Sequence, residues 1–156
     1  LQLTTSKGIS YVRKQMVTKN VENIDKYKVM LSITGAEHAC EPDKDGRFRV
    51  MTSSMKVLKP NELCNFSYFI VGLFDNEIEA NNLLKYIRTN FVRFLVLQCV
   101  SSIHLSSKVF QFVPVQNFFE SWTDEKLYKK YGLTEDEIAF IESMIRPMDL
   151  GGESDA

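Results

Sequence analysis

The stretch SYFIVGLFDNEIEANNLLKYIRTNFVRFL, residues 67–95, changes its hydrophobic period in the middle. Residues 67–74 are almost continuously apolar, which is typical of a buried strand whose sheet is covered on both faces. After Asn76, which can cap a helix together with Glu79, the apolar residues recur at helical spacing. The stretch therefore predicts a buried strand followed by one long helix or by two joined helices.

Three other segments have the composition of strands. Residues 27–34, YKVMLSIT, and residues 47–58, RFRVMTSSMKVL, are rich in strand formers, and the turn-like EPDKDG lies between them. Residues 109–115, VFQFVPV, are similar, but Pro114 must end that strand or place it at a sheet edge. These elements predict an α+β fold in which a mixed or antiparallel sheet packs against the central long helix or helix pair.

The stretch WTDEKLYKKYGLTEDEIAFIESMIRPM, residues 122–148, predicts a carboxy-terminal pair of short helices. Threonine caps, a glycine suited to a left-handed helix end and a terminating proline mark the helix boundaries. These signals are Thr123, Gly132, the Thr134–Glu137 capping box and Pro147. We expect the pair to be a structural closure, anchored by a buried Trp122 and packed on the sheet away from any ligand.

The composition fits one domain with a sizeable core, because 44% of the 156 residues are apolar and 25% are charged. We predict a single domain over residues 1–148 and a flexible tail over residues 149–156. No apolar run reaches the roughly 18 residues that a membrane span needs, and three scattered cysteines do not form a disulfide framework. A cytoplasmic protein is expected. Because the chain starts at Leu1 without a signal-peptide pattern, we expect a fragment of a longer protein.

The net charge of −1 conceals an asymmetry along the chain. Residues 1–119 hold 15 Lys and Arg against 10 Asp and Glu, whereas residues 120–156 hold 4 against 10. Residues 80–119 contain no acid but four basic residues, which are Lys85, Arg88, Arg93 and Lys108. Such a basic part suits contact with phosphate groups, and a solvated surface is the simpler alternative.

The sequence lacks the usual motifs of cofactor binding and catalysis. Its glycines are isolated except for one pair in the tail, and neither a Walker motif nor a Gly-x-Ser-x-Gly motif occurs. His38 with Cys40 lacks the paired spacing of a zinc site. Neither His38 nor His104 has an evident catalytic partner. We predict no catalytic residue and no metal ligand in this chain.

A metal-dependent nuclease is an alternative interpretation. Asp43 with Asp124-x-Lys126 loosely fits the carboxylates and lysine that such an enzyme needs. However, Asp124 falls in the first turn of a predicted helix, where the helix dipole alone favours an acid.

Five segments, taken in order, resemble the carboxy-terminal part of bacterial restriction–modification adenine DNA methyltransferases of the type II (type IIG-like) class. They are YKV, CNFSYFIVG, EANNLLKYIRTNFVRFLV, VFQFVPVQNF and the closing residues 122–148. The resemblance covers residues 27–148, and its most specific parts are Tyr-x-x-Thr-x-Phe-x-Arg-Phe and Trp-Thr-Asp-Glu. In that family a methyltransferase domain, sometimes fused to a nuclease, precedes a target recognition domain that selects the DNA sequence.

The resemblance implies a non-catalytic recognition module. The family's Asn-Pro-Pro-aromatic turn, which receives the flipped adenine, is absent because no two prolines adjoin. The chain also departs from the family at Asn117, where Asp is expected, and at residues 65–67, where a more polar segment is expected. S-adenosylmethionine is expected for the parent protein and not for this fragment. The expected partners are double-stranded DNA and the methyltransferase domain of the same parent chain, with no membrane.

Two stretches, YVRK and GRFRVMTSSMK, supply candidate DNA contacts, the second from an expected strand. Basic side chains position the DNA backbone, whereas Arg, Ser and Thr on loops contact base edges. The candidates are Arg13, Lys14, Arg47, Arg49, Ser53, Ser54 and Lys56. Besides this interpretation, an independent nuclease and a protein-interaction scaffold are alternatives.

Overall fold

The computed structural model describes residues 1–34, 41–102 and 104–148, so the tail predicted over residues 149–156 lies outside the described residues. The described residues form six strands: β1 (Gln2–Thr5), β2 (Gly8–Tyr11), β3 (Tyr27–Ser32), β4 (Lys56–Leu58), β5 (Glu62–Cys64) and β6 (Tyr68–Phe74). They also form four α-helices: α1 (Glu77–Arg88), α2 (Asn90–Leu97), α3 (Asp124–Tyr131) and α4 (Glu135–Met144). The predicted α+β class is confirmed.

The strands form two three-stranded sheets. The amino-terminal sheet has the order β2-β1-β5, with β1 antiparallel to β2 and parallel to β5. The central sheet has the order β4-β3-β6, and both of its strand pairs are antiparallel. The sequence does not predict the amino-terminal sheet, because its strands are short and β2 is exposed along its whole length.

Helix α1 packs on one face of the central sheet, α2 packs beside α1, and α3 and α4 pack against α2. Val29 and Leu31 of β3 belong to the main apolar core, to which all four helices contribute buried side chains. Lys28 and Met30 alternate with them and therefore point to the opposite face. Both are buried as well, because the amino-terminal sheet and the residues before β3 lie over that face.

Two joined helices follow β6. Asn76 caps α1, because its side chain accepts a hydrogen bond from the Glu79 N–H at 2.9 Å. Thr89 then adopts an extended backbone, with ψ 151°, and its hydroxyl accepts from the Val92 N–H at 3.2 Å. Thr89 therefore ends α1 and caps α2. The predicted cap and the predicted helix pair are confirmed.

The strand β6 is a partly exposed edge strand, so the expectation of cover on both faces is wrong for it. One face packs closely on α1: a Cβ atom at Gly72 would collide with Leu83. The other face is only partly covered, and Leu73 is exposed there. An irregularity in the β3–β6 register lies between Val29 and Met30, which marks a β-bulge.

The strand predicted over residues 109–115 is also wrong. Residues Ser107–Phe110 form a 3-10 helix, and the chain then continues without a strand partner among the described residues. Side chains of α1 hold this segment, since Tyr86 Oη donates to Pro114 O at 2.6 Å and Asn82 Nδ2 donates to Phe118 O at 2.9 Å. These contacts satisfy carbonyl groups that strand pairing would otherwise satisfy.

The carboxy-terminal helix pair has the predicted boundaries. Thr123 caps α3, Gly132 ends it with φ 64°, and Thr134 with Glu137 forms a complete capping box for α4. The helices pack mainly against α2 rather than on the sheet. Trp122 is only partly buried, so the predicted enclosed anchor is wrong; its Nε1 donates to Asn117 O at 2.8 Å.

Candidate nucleic-acid interface

Residues 47–55, which connect β3 to β4, do not form the predicted strand. Phe48 instead pairs with the end of α4: its N–H donates to Met144 O at 2.7 Å, and its carbonyl oxygen accepts from the Arg146 N–H at 3.0 Å. Beyond it, the Met51 N–H donates to Arg49 O at 2.8 Å around Val50, whose φ is 65°. This geometry is a γ-turn centred on Val50.

The γ-turn explains why the strand prediction fails. A strand would alternate its side chains between two faces, whereas the turn places the adjacent residues Val50 and Met51 in the core together. Positive φ is strained for a β-branched residue, and such strain persists only where the surroundings enforce it. Here the side chain of Val50 is 0% exposed, so core packing holds the turn.

Four predicted contacts lie on the outside of this segment. Arg47, Arg49, Ser53 and Ser54 are all exposed. In the part of the chain that the structure describes, neither arginine takes part in an ion pair. We refer to residues 47–54 as the arginine loop. It combines an apolar side, buried against the helices, with an outward side of guanidinium and hydroxyl groups.

The Asp43 carboxylate organises the start of the arginine loop. Its Oδ1 accepts hydrogen bonds from the Asp45 N–H at 2.9 Å and from the Arg47 N–H at 3.0 Å. The hydrogen bond from Arg47 is the main cause of a lowered pKa of Asp43, and the charges of Arg47 and Arg146 act in the same direction. Asp43 therefore shapes a turn, a role that competes with the metal-ligand role considered for it.

The other three predicted contacts lie elsewhere. Arg13 and Lys14 are exposed in the connection that follows β2. Lys56 on β4 pairs with Met30, so its side chain points to the face of the central sheet that carries the amino-terminal sheet. The arginine loop packs with the helices on the opposite face. The structure thus divides the seven predicted residues into the four on the arginine loop and the three that lie outside it.

Two arginines of the acid-free stretch over residues 80–119 are structural. Arg93 is 1% exposed, and its guanidinium donates to Arg88 O, to Arg146 O and to Asn90 Oδ1 at 2.7–3.2 Å. Burial lowers the pKa of Arg93 to about 10, against the opposing influence of Asp124. Arg88 is partly buried and donates to Met55 O at 3.2 Å. Arg93 cannot bind phosphate without losing these bonds, whereas Arg88 uses only one of its guanidinium donors for Met55 O.

Asp124 caps helix α2 from outside. Its two carboxylate oxygens accept from the N–H groups of Asn90 and Phe91 at 3.0 and 2.8 Å. Negative charge at a helix amino terminus is stabilising, so the acid has a structural role in addition to its place in α3. Within residues 1–34, 41–102 and 104–148, no group of three or more His, Cys, Asp or Glu side chains could hold a metal ion. His38 and Cys40 lie outside these residues.

A cleft of about 770 Å³ lies between residues 17–23, β5 and the open face of β6. The cleft cannot be predicted from the sequence, because it depends on how the two sheets meet. Lys19 and Lys28 line it together with asparagines and aromatic rings, and none of the described residues that line it is a carboxylate. The one available sequence signal is Phe66, an aromatic residue where the family resemblance favours a polar one.

Lys28 brings a buried positive charge to this cleft. Its Nζ donates to the carbonyl oxygens of Asn23, Ile24, Lys26 and Lys59 at 2.6–3.4 Å. Burial lowers the pKa of Lys28, while the negative charge of Glu62 opposes the shift. The four carbonyl groups satisfy the ammonium hydrogens without neutralising its charge.

Comparison with known proteins gives no relative. No family model matches the chain, and neither a curated protein nor a solved structure matches it significantly. No helix among the described residues has the length and apolarity needed to cross a membrane.

Proposed function

We propose that this chain is a non-catalytic DNA sequence-recognition module, a carboxy-terminal part of a restriction–modification adenine DNA methyltransferase. The parent protein is cytoplasmic in this proposal, uses S-adenosylmethionine and supplies the methyltransferase domain that is this module's partner. The order of segments over residues 27–148 supports the family, and the arginine loop supports DNA as the ligand.

The arginine loop is the observation that carries the proposal. Its backbone is fixed by Phe48, Val50 and Met51, so Arg47 and Arg49 are presented on a preorganised support. A preorganised loop loses less conformational entropy when it binds. A guanidinium group can donate two parallel hydrogen bonds to a phosphate or to guanine, and a serine hydroxyl can bind either a base edge or a phosphate.

Fluorescence anisotropy with a labelled DNA duplex tests the proposal. We expect the logarithm of the association constant to fall with the logarithm of salt concentration at a slope near −4 to −5, for roughly 4 to 6 neutralised phosphates. Reversing both loop charges, with Arg47→Glu and Arg49→Glu, should weaken binding by about tenfold or more, because each good arginine contact is worth about 1–3 kcal/mol.

The matched control reverses two exposed lysines that are not predicted contacts, with Lys7→Glu and Lys129→Glu. Lys130 is unsuitable as a control, because its Nζ donates to Gln116 Oε1 at 2.6 Å and lies 4.4 Å from the centre of the Trp122 ring. Equal loss of binding in both double variants would attribute binding to net charge and not to the loop. No binding by the unchanged protein at low salt would contradict the proposal.

A protein-interaction scaffold is the second candidate, and one feature favours it. Phe112, Val115 and Phe119 are exposed and follow one another as a row of apolar residues in the sequence of the segment held by α1. Exposed apolar groups of this kind mark protein contacts. In the proposed module they are available to the methyltransferase domain. Serine substitutions at the three positions should leave duplex binding unchanged; loss of duplex binding would place DNA on this row instead.

A further inference from the structure

A rigid turn presents an exposed aromatic ring beside the cleft between the two sheets. Phe66 lies in the turn from β5 to β6 and is 87% exposed. Asn65 holds this turn: its backbone oxygen accepts from the Tyr68 N–H at 3.1 Å, and its Oδ1 accepts from the Ser67 N–H at 3.1 Å. The Asn65 N–H also donates to Thr4 O in the amino-terminal sheet. The backbone of Phe66 is therefore fixed while its ring meets solvent.

The geometry of the turn does not require an aromatic residue at this position. The turn is made by the Asn65 side chain and by backbone groups, and its second position accepts most residue types. Leaving a phenylalanine exposed forgoes roughly 1.5–3 kcal/mol of burial. A ligand that stacks on the ring would recover that contribution.

The charges of the cleft limit what this ligand can be. Lys19 is exposed at the cleft, Lys28 is buried in its wall, and Asp and Glu are absent from the lining over the part of the chain that the structure describes. The lining also includes the amide side chains of Asn20 and Asn23, which can both donate and accept hydrogen bonds. A volume of about 770 Å³ is within the range of small-ligand sites. A nucleotide unit matches these features, because it combines a planar base, base edges that hydrogen-bond with amide groups and a negatively charged phosphate.

We propose that this cleft binds one unstacked base of a nucleic-acid strand, with the base stacked on Phe66 and its phosphate near Lys19. Binding of this type combines an aromatic platform with a cationic groove and is tolerant of sequence. The inference goes beyond the proposed function, since it assigns a second surface and a single-stranded ligand, and it rests on that function only in taking nucleic acid as the partner.

The test measures binding of a labelled single-stranded thymidine oligonucleotide and of a duplex to the same protein variants. Phe66→Ala should weaken single-strand binding by about 5- to 150-fold, because base stacking on an aromatic side chain is worth about 1–3 kcal/mol. Phe66→Trp should retain binding, and the strand should quench its tryptophan emission more than that of the unchanged protein, which contains only Trp122. The matched control is Phe119→Ala, which removes a ring that is 75% exposed on a different surface.

The two ligands separate this inference from the proposed function. Loss of single-strand binding in Phe66→Ala, with Phe119→Ala unchanged, supports the cleft. Equal single-strand affinity of Phe66→Ala and the unchanged protein, or no single-strand binding at all, overturns the inference even where the duplex binds through Arg47 and Arg49. Equal loss of single-strand binding in Phe66→Ala and Phe119→Ala also overturns the inference. Failure of duplex binding alone overturns the proposed function and leaves the cleft supported.

Discussion

The arginine loop and the helix pair α3–α4 meet at Phe48 and Ile145, yet different kinds of interaction hold them. The helix boundaries depend on side chains close in sequence, such as Thr123 and the Thr134 capping box. The loop depends on pairing with a distant segment and on the burial of Val50 in the core. Regions set by local interactions are predictable from a few residues, whereas regions set by distant ones are not.

Their meeting point also changes the expected arrangement. Phe48, which contacts the end of α4, lies between Arg47 and Arg49 in the chain. The end of α4 is therefore adjacent to the arginine loop, so the expectation that the helix pair lies away from the ligand depends on where DNA binds. In the proposed function the helix pair provides stability and the arginine loop binds DNA, and substitutions can separate these two roles.

The largest loss of stability should come from a substitution on the buried side of the helix pair. Leu127 is fully buried in α3, so Leu127→Ala should lower the free energy of unfolding by about 2–5 kcal/mol. Trp122→Ala should cost less, although tryptophan is larger, because its ring is only partly buried. Urea unfolding followed by circular dichroism measures both. A greater loss for Trp122→Ala would show that the ring, and not Leu127, anchors the pair.

A smaller effect is expected at the helix cap. Thr134→Ala removes the hydroxyl that accepts from the Glu137 N–H at 3.3 Å, and it should cost about 1 kcal/mol of unfolding free energy. Because α4 has a structural role in our account, duplex affinity should not change. Thr134→Ser is the control and should restore the stability. A variant with normal stability but weaker DNA binding would assign the helix pair to the interface.

A substitution that loosens the arginine loop should weaken DNA binding and leave stability unchanged, which is the opposite of the result expected for Thr134→Ala. Asp43→Ala removes the hydrogen bonds to the N–H groups of Asp45 and Arg47, so the loop must be ordered on binding. Ordering costs of about 0.5–1.5 kcal/mol correspond to about two- to tenfold weaker duplex binding. The melting temperature should stay within a degree or two of the parent. Unchanged affinity would mean that Asp43 does not preorganise the loop.

The smallest effect is a dependence of stability on pH. Hydrogen bonds from backbone groups, Arg47 in one case and Thr134 in the other, lower the pKa values of Asp43 and Glu137 in the folded protein. Their contributions are therefore complete above the ordinary pKa values, near 3.8 and 4.5, and are lost as the pH falls below them. Thermal melts at pH 7 and pH 3.5 should show that the destabilisation by Glu137→Gln shrinks at the lower pH.

Helix caps were the part of the fold most open to prediction. Asn76, Thr123 and Thr134 each cap the expected helix, because a cap needs only residues within one turn. The strand predictions over residues 47–55 and 109–115 are wrong. A loop that buries apolar residues against the core has the same amino-acid composition as a strand. The amino-terminal sheet was missed because β1 pairs with β5, a partner remote in sequence.

The candidate site was predictable only in part. The exposure of Arg47 and Arg49 follows from their charge alone. Their separation from Lys56 depends on which face of the central sheet each residue occupies, and a γ-turn at Val50 alters that assignment. The burial of Arg93 could not be foreseen, because the backbone carbonyl groups that bind its guanidinium belong to Arg88 at the end of α1 and to Arg146, which follows α4.

Nuclear magnetic resonance gives the most direct test of the claim that the arginine loop binds DNA. Backbone amide shifts of the 156-residue chain can be followed while a duplex is added. Our account predicts that the largest shift changes cluster at residues 47–54, with small changes on the exposed surface of α4. Shift changes that instead follow the exposed surfaces of α3 and α4, with the arginine loop unaffected, would contradict it.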